Sequence, residues 1–263
     1  MDEAQPNADL RAAECALFLD FDGTLVEIAE RPEAVRVDPA LGPTLARLAD
    51  RLGGALALVS GRAIATLDDF LAPYRFDAAG LHGIEYRMGN RLFPCRPEDH
   101  PDLRAGIERL HQDLDGRPGV LIEDKGCSVA VHWRLAPDHA DQARRLAEEL
   151  AARLDSGYRI QFGKAVAEIV PAQSGKGAAI LRFAGEPPYV GRRPIFIGDD
   201  LTDEHGFAAV NARGGVSVRI GPGPTQARFY IDTPACLRER LAAWAESGTI
   251  HLDAKPIGAR LGG

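Results

Sequence analysis

Two aspartates, Asp20 and Asp22, follow the apolar run CALFL near the start of the chain. The run is typical of a buried strand, and residues two apart in an extended segment point to the same side. We therefore expect the two carboxylates to share one site, with Phe21 pointing away. Carboxylates this close repel each other, and a divalent cation offsets that repulsion. The pair indicates a metal site at the end of a core strand.

Further polar groups follow other predicted strands or begin a predicted helix. Ser60 ends the run LALVS, and Lys176 lies in QSGKGAA, where a helix is expected to begin. Asp199, in the segment FIGDDLTDE, follows a third strand. Ligands bind beyond the carboxyl ends of parallel strands, so these groups should meet. Oxygen-only ligands with open positions favour Mg²⁺ over Ca²⁺ or Zn²⁺.

A cation, a lysine and a hydroxyl around an open position make a site for a phosphoryl group. Lys176 supplies charge, Ser60 a hydroxyl, and the helix start at 174–175 supplies N–H donors. Asp20 can then attack phosphorus and form an aspartyl-phosphate. Asp22, two residues on, can protonate the leaving oxygen and later deprotonate water.

Taken singly, these residues have ordinary structural explanations. An aspartate after a strand is commonly a turn or cap residue, Ser60 alone would be a helix N-cap, and the acids of DDLTDE suit a helix start. It is their combination, in this order and at these strand ends, that indicates phosphoryl-transfer chemistry.

The elements that must position these residues form two patterns. Strands and helices alternate over residues 1–96 and 172–263, which predicts a Rossmann-like parallel sheet covered on both faces, an α/β fold. Residues 97–171 instead read as helix, hairpin, helix, hairpin, which predicts an inserted α+β domain with a small antiparallel sheet. A hairpin is expected in the first part, with Gly89 and Asn90 at its turn.

Composition narrows the function classes. The chain has 263 residues and a net charge of −7, which disfavours nucleic acid or an anionic membrane as the main partner. The start is polar rather than a signal peptide, and no run is long enough to span a bilayer. The four cysteines lack metal-ligand spacing, and we expect Cys15 and Cys127 to be buried thiols. We expect a cytoplasmic protein whose tail after Gly248 is a loosely packed extension.

The sequence resembles the haloacid dehalogenase-like (HAD) phosphatases through DxDGT at 20–24, Ser60, Lys176 and the acidic motif at 199–204. The resemblance implies a HAD core with an inserted C2-type cap and Mg²⁺-dependent phosphoryl transfer. It implies that Asp20, Asp199 and the main-chain carbonyl of Asp22 hold the metal. The implied phosphate-binding residues are Thr24, Ser60, Gly61 and Lys176. The implied supporting acids are Asp200, Asp203 and Glu204.

Finer motifs resemble the trehalose-6-phosphate phosphatases within that superfamily. These are GDDLTDE at 198–204, SGR at 60–62, LHGIE at 81–85, ExxPxxxxK at 168–176 and the segment EDKGCSVAVHWR. The departure is LHG, where other members often carry Glu or Asn. The resemblance implies substrate contacts by Arg62, Glu123, Lys125, Arg134 and Glu168. Without the resemblance, charges on a hairpin would be ascribed to the solvated surface.

Three other functions stay open at this point. The nearest is a phosphatase for another sugar phosphate, of the glucosylglycerol or mannosylglycerate type. A phosphomutase is disfavoured because it must shield its aspartyl-phosphate from water. A non-catalytic sugar-phosphate sensor is disfavoured because a binder has no need of Asp22. We expect a monomer that acts on a small sugar phosphate.

Overall fold

The computed structural model describes residues 9–29, 34–114, 116–163, 165–252 and 255–256. We interpreted the polar start of the chain as a segment other than a signal peptide. The first part of that segment, residues 1–8, lies outside the described residues. The chain divides into two compact units. Unit 1 comprises Met1–Phe93 with Gly175–Gly263, and unit 2 comprises Pro94–Ser174.

Among its described residues, the first part of unit 1 carries six strands and two α-helices. The strands are β1 (Asp9–Arg11), β2 (Cys15–Leu19), β3 (Leu56–Val59), β4 (Asp77–Gly80), β5 (Glu85–Met88) and β6 (Arg91–Phe93). The helices are α1 (Leu41–Arg51) and α2 (Ile64–Leu71). The predicted hairpin is confirmed, because β5 and β6 pair antiparallel on either side of Gly89 and Asn90.

The described residues of unit 2 form two α-helices and a four-stranded antiparallel sheet. The elements are α3 (Pro101–Asp113), β7 (Leu121–Asp124), β8 (Val129–His132), α4 (Ala140–Arg153), β9 (Tyr158–Gly163) and β10 (Val166–Pro171). The strand order is β7-β8-β10-β9. Leucines of both helices and alternate strand residues form one apolar core, so the helices cover a single face of the sheet.

The rest of unit 1 completes its sheet. The elements are α5 (Lys176–Phe183), β11 (Arg193–Gly198), α6 (Glu204–Ala212), β12 (Val216–Ile220), β13 (Phe229–Ile231), α7 (Pro234–Ser247), β14 (Thr249–His251) and β15 (Lys255–Pro256). The nine-stranded sheet has the order β15-β13-β12-β11-β2-β3-β4-β5-β6. The strands from β13 to β4 are parallel, and those outside them are antiparallel.

Both faces of the central strands of this sheet are buried, which explains their continuous apolar runs. In β2, Leu17 and Leu19 face a core shared with α1 and α7. Phe18 points to the opposite face and packs with Phe183 of α5 and with Phe196 of β11. The α/β core with its separate antiparallel sheet confirms the predicted fold class.

Two expectations were wrong. Residues 249–252, expected to belong to a loosely packed tail, include β14, which pairs with β1, and Ile250 and Leu252 are buried in the core of unit 1. Local sequence did not reveal this strand because its partner lies about 240 residues away. In the rest of that tail, residues 253–254 and 257–263 lie outside the described residues. Cys127 is not a free thiol but forms a disulfide with Cys95, 32 residues earlier.

The Cys15 prediction is confirmed. Its thiol is free and buried, and burial raises its pKa to about 11. In the described part of the chain, no helix has the length and apolar character needed to cross a membrane.

Candidate active site

Three neighbouring parallel strands deliver polar residues to one edge of the unit 1 sheet. Asp20 follows β2, Ser60 follows β3, and Asp199 follows β11, which is paired with β2. The helix α5 begins at Lys176, and this lysine reaches the same edge. These residues therefore lie beyond the carboxyl ends of the parallel strands, where α/β proteins commonly bind their ligands.

Lys176 lies between two buried carboxylates. Its Nζ is 2.8 Å from Oδ1 of Asp20 and 2.7 Å from Oδ1 of Asp203. The three side chains are 3%, 5% and 0% exposed, so the charges interact in surroundings from which water is almost excluded. A third carboxylate, that of Asp200, approaches to 4.0 Å.

Asp203 also fixes the turn that follows β11. Its Oδ2 accepts hydrogen bonds from the backbone N–H groups of Asp199 (2.9 Å) and Asp200 (3.0 Å). A β-carbon at Gly198 would lie 2.3 Å from Cγ of Asp203, so this close approach requires glycine. Asp200 in turn caps the short 3₁₀ turn over Leu201–Asp203.

Thr24 and Gly23 join Asp199 to Asp20. The buried hydroxyl of Thr24 lies 3.3 Å from Oδ2 of Asp20 and 3.2 Å from Oδ1 of Asp199. Gly23 has φ of +76°, and a β-carbon there would lie 2.1 Å from Oδ2 of Asp199. The glycine of DxDGT is therefore needed both for its backbone conformation and for space.

The cluster carries more negative than positive charge. Burial raises the pKa of Asp20 to about 7, opposed by Lys176, and burial and Asp20 raise the pKa of Asp203 to about 8. Burial and the neighbouring acids also raise the pKa of Asp199. Burial alone would lower the pKa of Lys176, but Asp20 and Asp203 outweigh it and raise that pKa. One lysine does not balance the surrounding carboxylates.

This donor set fits a divalent cation. Carboxylate oxygens of Asp20, Asp199 and Asp203 lie within 4.8 Å of one another. The excess negative charge and the oxygen-only donors suit a hard ion such as Mg²⁺. Asp203 is the unexpected member, because the resemblance had given it a supporting role. One of its oxygens is already taken by backbone donors and the other by Lys176.

The side chain of Asp22 is bound by Arg62. Arg62 Nε lies 2.6 Å from Oδ2 of Asp22, and Nη2 lies 2.8 Å from Oδ1. Phe21, between the two aspartates, is fully buried and stacks on Phe70 at 5.7 Å, so it anchors the turn. The guanidinium of Arg62 lies 5.0 Å from the centre of the same Phe70 ring.

Ser60 and Gly61 belong to a loop that is linked to the LHGIE segment. The buried Oγ of Ser60 accepts from the backbone N–H of Arg62 at 3.1 Å. The N–H of His82 donates to the carbonyl of Ser60, and the carbonyl of His82 accepts from Gly175, next to Lys176. His82 adopts φ of +55°, a strained value for a residue with a side chain. LHGIE thus connects two of the loops around the site.

Glu204, also in the predicted supporting set, contacts a different group. Its Oε2 accepts from the backbone N–H of Gln226 at 2.7 Å, and its Oε1 lies 3.5 Å from Nη1 of Arg219. It holds the loop after β12 rather than the Asp20 cluster.

Three of the four predicted sugar-contacting residues of unit 2 form one charged cluster. Lys125 Nζ lies 2.9 Å from Oε1 of Glu168 and 3.8 Å from Oε2 of Glu123. Arg134 lies exposed beyond the end of β8. Sequence reasoning did not single out His132, whose Nε2 lies 3.0 Å from Oε2 of Glu123. Its position within the segment EDKGCSVAVHWR was the available signal.

The trehalose-phosphatase family model matches residues 18–235, which includes every residue of the Asp20 cluster. The chain belongs to the trehalose-phosphatase family. A probable trehalose-phosphate phosphatase of Sinorhizobium fredii is 46% identical, over 88% of this chain and 87% of the relative. The trehalose-6-phosphate phosphatase of Escherichia coli is 44% identical, over 84% and 82%.

Solved structures of this family share the fold. The Aspergillus fumigatus trehalose-6-phosphate phosphatase is 26% identical with a TM-score of 0.73, covering 88% of this chain and 92% of that one. A haloacid dehalogenase-like hydrolase of Bacteroides thetaiotaomicron, 16% identical with a TM-score of 0.56 over 86% and 98%, shows the same fold more distantly. The predicted resemblance to trehalose-6-phosphate phosphatases is confirmed, and the fold is that of a haloacid dehalogenase-like hydrolase.

Proposed function

We propose that this protein hydrolyses trehalose 6-phosphate to trehalose and inorganic phosphate, a step of trehalose biosynthesis. The observation that carries the proposal is the buried Asp20–Lys176–Asp203 cluster, with Asp199 beside it, in a chain of the trehalose-phosphatase family.

The proposed reaction has two steps. A carboxylate oxygen of Asp20 attacks phosphorus, and the phosphorus–oxygen bond to the sugar breaks. The leaving sugar oxygen takes a proton from Asp22, and an aspartyl-phosphate remains. Asp22, now a carboxylate, then takes a proton from water, which attacks phosphorus and releases phosphate. Asp20 and protonated Asp22 are regenerated.

The remaining core residues bind and orient the phosphoryl group. Lys176 supplies positive charge, and the hydroxyls of Thr24 and Ser60 with the backbone of Gly61 supply donors. Mg²⁺, held by Asp20, Asp199 and the main-chain carbonyl of Asp22, would neutralise charge on the phosphoryl oxygens. Asp200 and Asp203 hold the loop that carries Asp199.

Asp22 works only if its contact with Arg62 changes during the cycle. In the described state Arg62 donates to both oxygens of Asp22. A protonated carboxyl has one oxygen that donates, so one of these bonds must open before Asp22 delivers its proton. Arg62, once freed, can contact substrate oxygens, which agrees with its predicted role in substrate binding.

We assign recognition of the sugar to the cap, residues 97–171. Glu123, Lys125, Arg134 and Glu168 offer the carboxylate and cationic groups that bind sugar hydroxyls. A cap that closes over the substrate would also exclude water from the aspartyl-phosphate. We further propose a cytoplasmic monomer whose partner is this small molecule, and neither nucleic acid nor a membrane.

A phosphate-release panel tests the substrate. Equal concentrations of trehalose 6-phosphate, glucosylglycerol phosphate, mannosylglycerate-type phosphates and p-nitrophenyl phosphate are compared with Mg²⁺ present. We expect the highest kcat/KM for trehalose 6-phosphate. A higher value for another sugar phosphate would reassign the substrate. Binding without phosphate release would indicate a sensor.

A further inference from the structure

The sheet of unit 2 has one face packed on helices and one polar face. Strand register places Glu123, Ala130, Glu168 and Gln161 directly beside one another across β7, β8, β10 and β9. Alternation puts all four on the same side, opposite the apolar residues packed on α3 and α4. Two carboxylates therefore lie on one face, separated only by the short side chain of an alanine.

Lys125 partly neutralises this pair and contacts the two carboxylates unequally. Its Nζ is 2.9 Å from Glu168 but 3.8 Å from Glu123. Glu123 is also the more exposed, at 49% against 25% for Glu168. A half-exposed carboxylate with one long contact is poorly fixed, and an unfixed side chain loses conformational freedom when it binds a ligand.

His132 supplies the second contact to Glu123. It lies on β8, an inner strand held between β7 and β10, where its backbone pairs with Leu121 and Val166. Its Nε2 lies 3.0 Å from Oε2 of Glu123. Because a carboxylate only accepts, Nε2 must carry the proton. Among the described residues, both contacts to Glu123 fall on Oε2, which leaves Oε1 to accept from a hydroxyl.

We propose that His132 is a positioning residue that fixes the Glu123 carboxylate for recognition of the sugar. The inference rests on the proposed function, because it requires that Glu123 bind the sugar. His132 acts through Glu123 and does not contact the reacting atoms. One intramolecular hydrogen bond of this kind corresponds to about a three- to tenfold change in binding.

The first experiment compares His132→Leu, His132→Gln and His111→Leu. His111, exposed on α3, is the matched histidine control in the same unit. His132→Leu should raise KM for trehalose 6-phosphate about three- to tenfold with kcat little changed. Hydrolysis of p-nitrophenyl phosphate, which has no sugar, should be unchanged. His132→Gln, which keeps an N–H donor, should restore most of the loss, and His111→Leu should behave as wild type.

A double-mutant cycle separates positioning from a merely structural role. In a Glu123→Ala background, His132→Leu should cause no further loss, because the group that it positions is gone. Additive losses, or equal losses in the Leu and Gln variants, would overturn the role of His132 while leaving the proposed function intact. A wild-type protein that hydrolyses no sugar phosphate in the panel would overturn both.

Discussion

The two units carry charge clusters of similar composition in different surroundings. In unit 1, Lys176 lies between Asp20 and Asp203, and none of the three side chains is more than 5% exposed. In unit 2, Lys125 lies between Glu123 and Glu168, which are a quarter to a half exposed. Coulombic interactions are several times stronger where water is excluded. Lysine–carboxylate groups of similar composition therefore suit catalysis in one place and reversible recognition in the other.

The difference also separates stability from function. Removing one partner from a buried group leaves an uncompensated charge, whereas exposed ion pairs contribute little to stability. Changes that leave an uncompensated charge in the unit 1 cluster, such as loss of Lys176, should therefore lower both the stability of the fold and turnover. Changes in the unit 2 cluster should affect only the choice of substrate.

The largest effect is expected from Asp20→Asn. It removes the nucleophile, so turnover should fall by on the order of 10⁴ or more. The fold should persist, because Lys176 then faces Asp203 with balanced charge. Phosphate release and thermal unfolding in EDTA at pH 8 measure the two quantities. Retained turnover would remove the assignment of Asp20.

Lys176→Met should reduce both activity and stability. Loss of the cation that binds the phosphoryl group should lower kcat by about 10²–10³. The carboxylates left without their lysine should lower the free energy of unfolding by about 3–5 kcal/mol in EDTA. Lys125→Met is the matched control and should cost less than about 1 kcal/mol. Urea unfolding measures the free energy of unfolding of both variants. Similar losses in Lys176→Met and Lys125→Met would contradict the comparison between the two clusters.

The metal should be essential, and its binding should depend on pH. EDTA should abolish activity and Mg²⁺ should restore it. A group with a pKa of about 7, as for Asp20, is mostly protonated at pH 6 and must lose that proton to bind a cation. The apparent affinity for Mg²⁺ should therefore be about tenfold weaker at pH 6 than at pH 8. Calorimetric titration at both pH values checks this, and chelator-insensitive activity would argue against the carboxylate site.

The smallest effects on the chemistry are expected in unit 2. Glu123→Gln and Arg134→Leu should lower kcat/KM for trehalose 6-phosphate about tenfold or more, the loss expected where polar groups read a substrate. Activity on p-nitrophenyl phosphate should hardly change. Parallel assays of each variant give the ratio of kcat/KM for trehalose 6-phosphate to kcat/KM for p-nitrophenyl phosphate. Equal losses on both substrates would mean that the cap does not recognise the sugar.

Local sequence was sufficient to predict the fold class and the polar residues that follow the strands. Alternating strands and helices predict a parallel sheet, and the sheet then brings Asp20, Lys176 and Asp199 together although 179 residues separate the first from the last. The turn at Gly89 and Asn90 was predictable because its residues select its geometry.

Contacts between distant residues were not predictable in the same way. The second role of Asp203, as acceptor for two backbone N–H groups, depends on the path of the turn. The Asp22–Arg62 pair, the Glu123–His132 contact and the Cys95–Cys127 bond each join residues that carry no mutual signal in the sequence.

The disulfide makes the stability of unit 2 depend on its redox surroundings. The disulfide closes a loop that contains α3 and β7. Closing such a loop lowers the conformational entropy of the unfolded chain, which raises the free energy of unfolding of unit 2 by about 4 kcal/mol. Where thiols are kept reduced, as in a cytoplasm, unit 2 would lose that contribution while unit 1 keeps its own stability. The fluorescence of the two tryptophans reports on the unfolding of the two units separately, because Trp133 lies in unit 2 and Trp244 in unit 1. In a Trp244→Phe variant, a dithiol should shift the fluorescence-monitored unfolding of unit 2 to lower urea concentration.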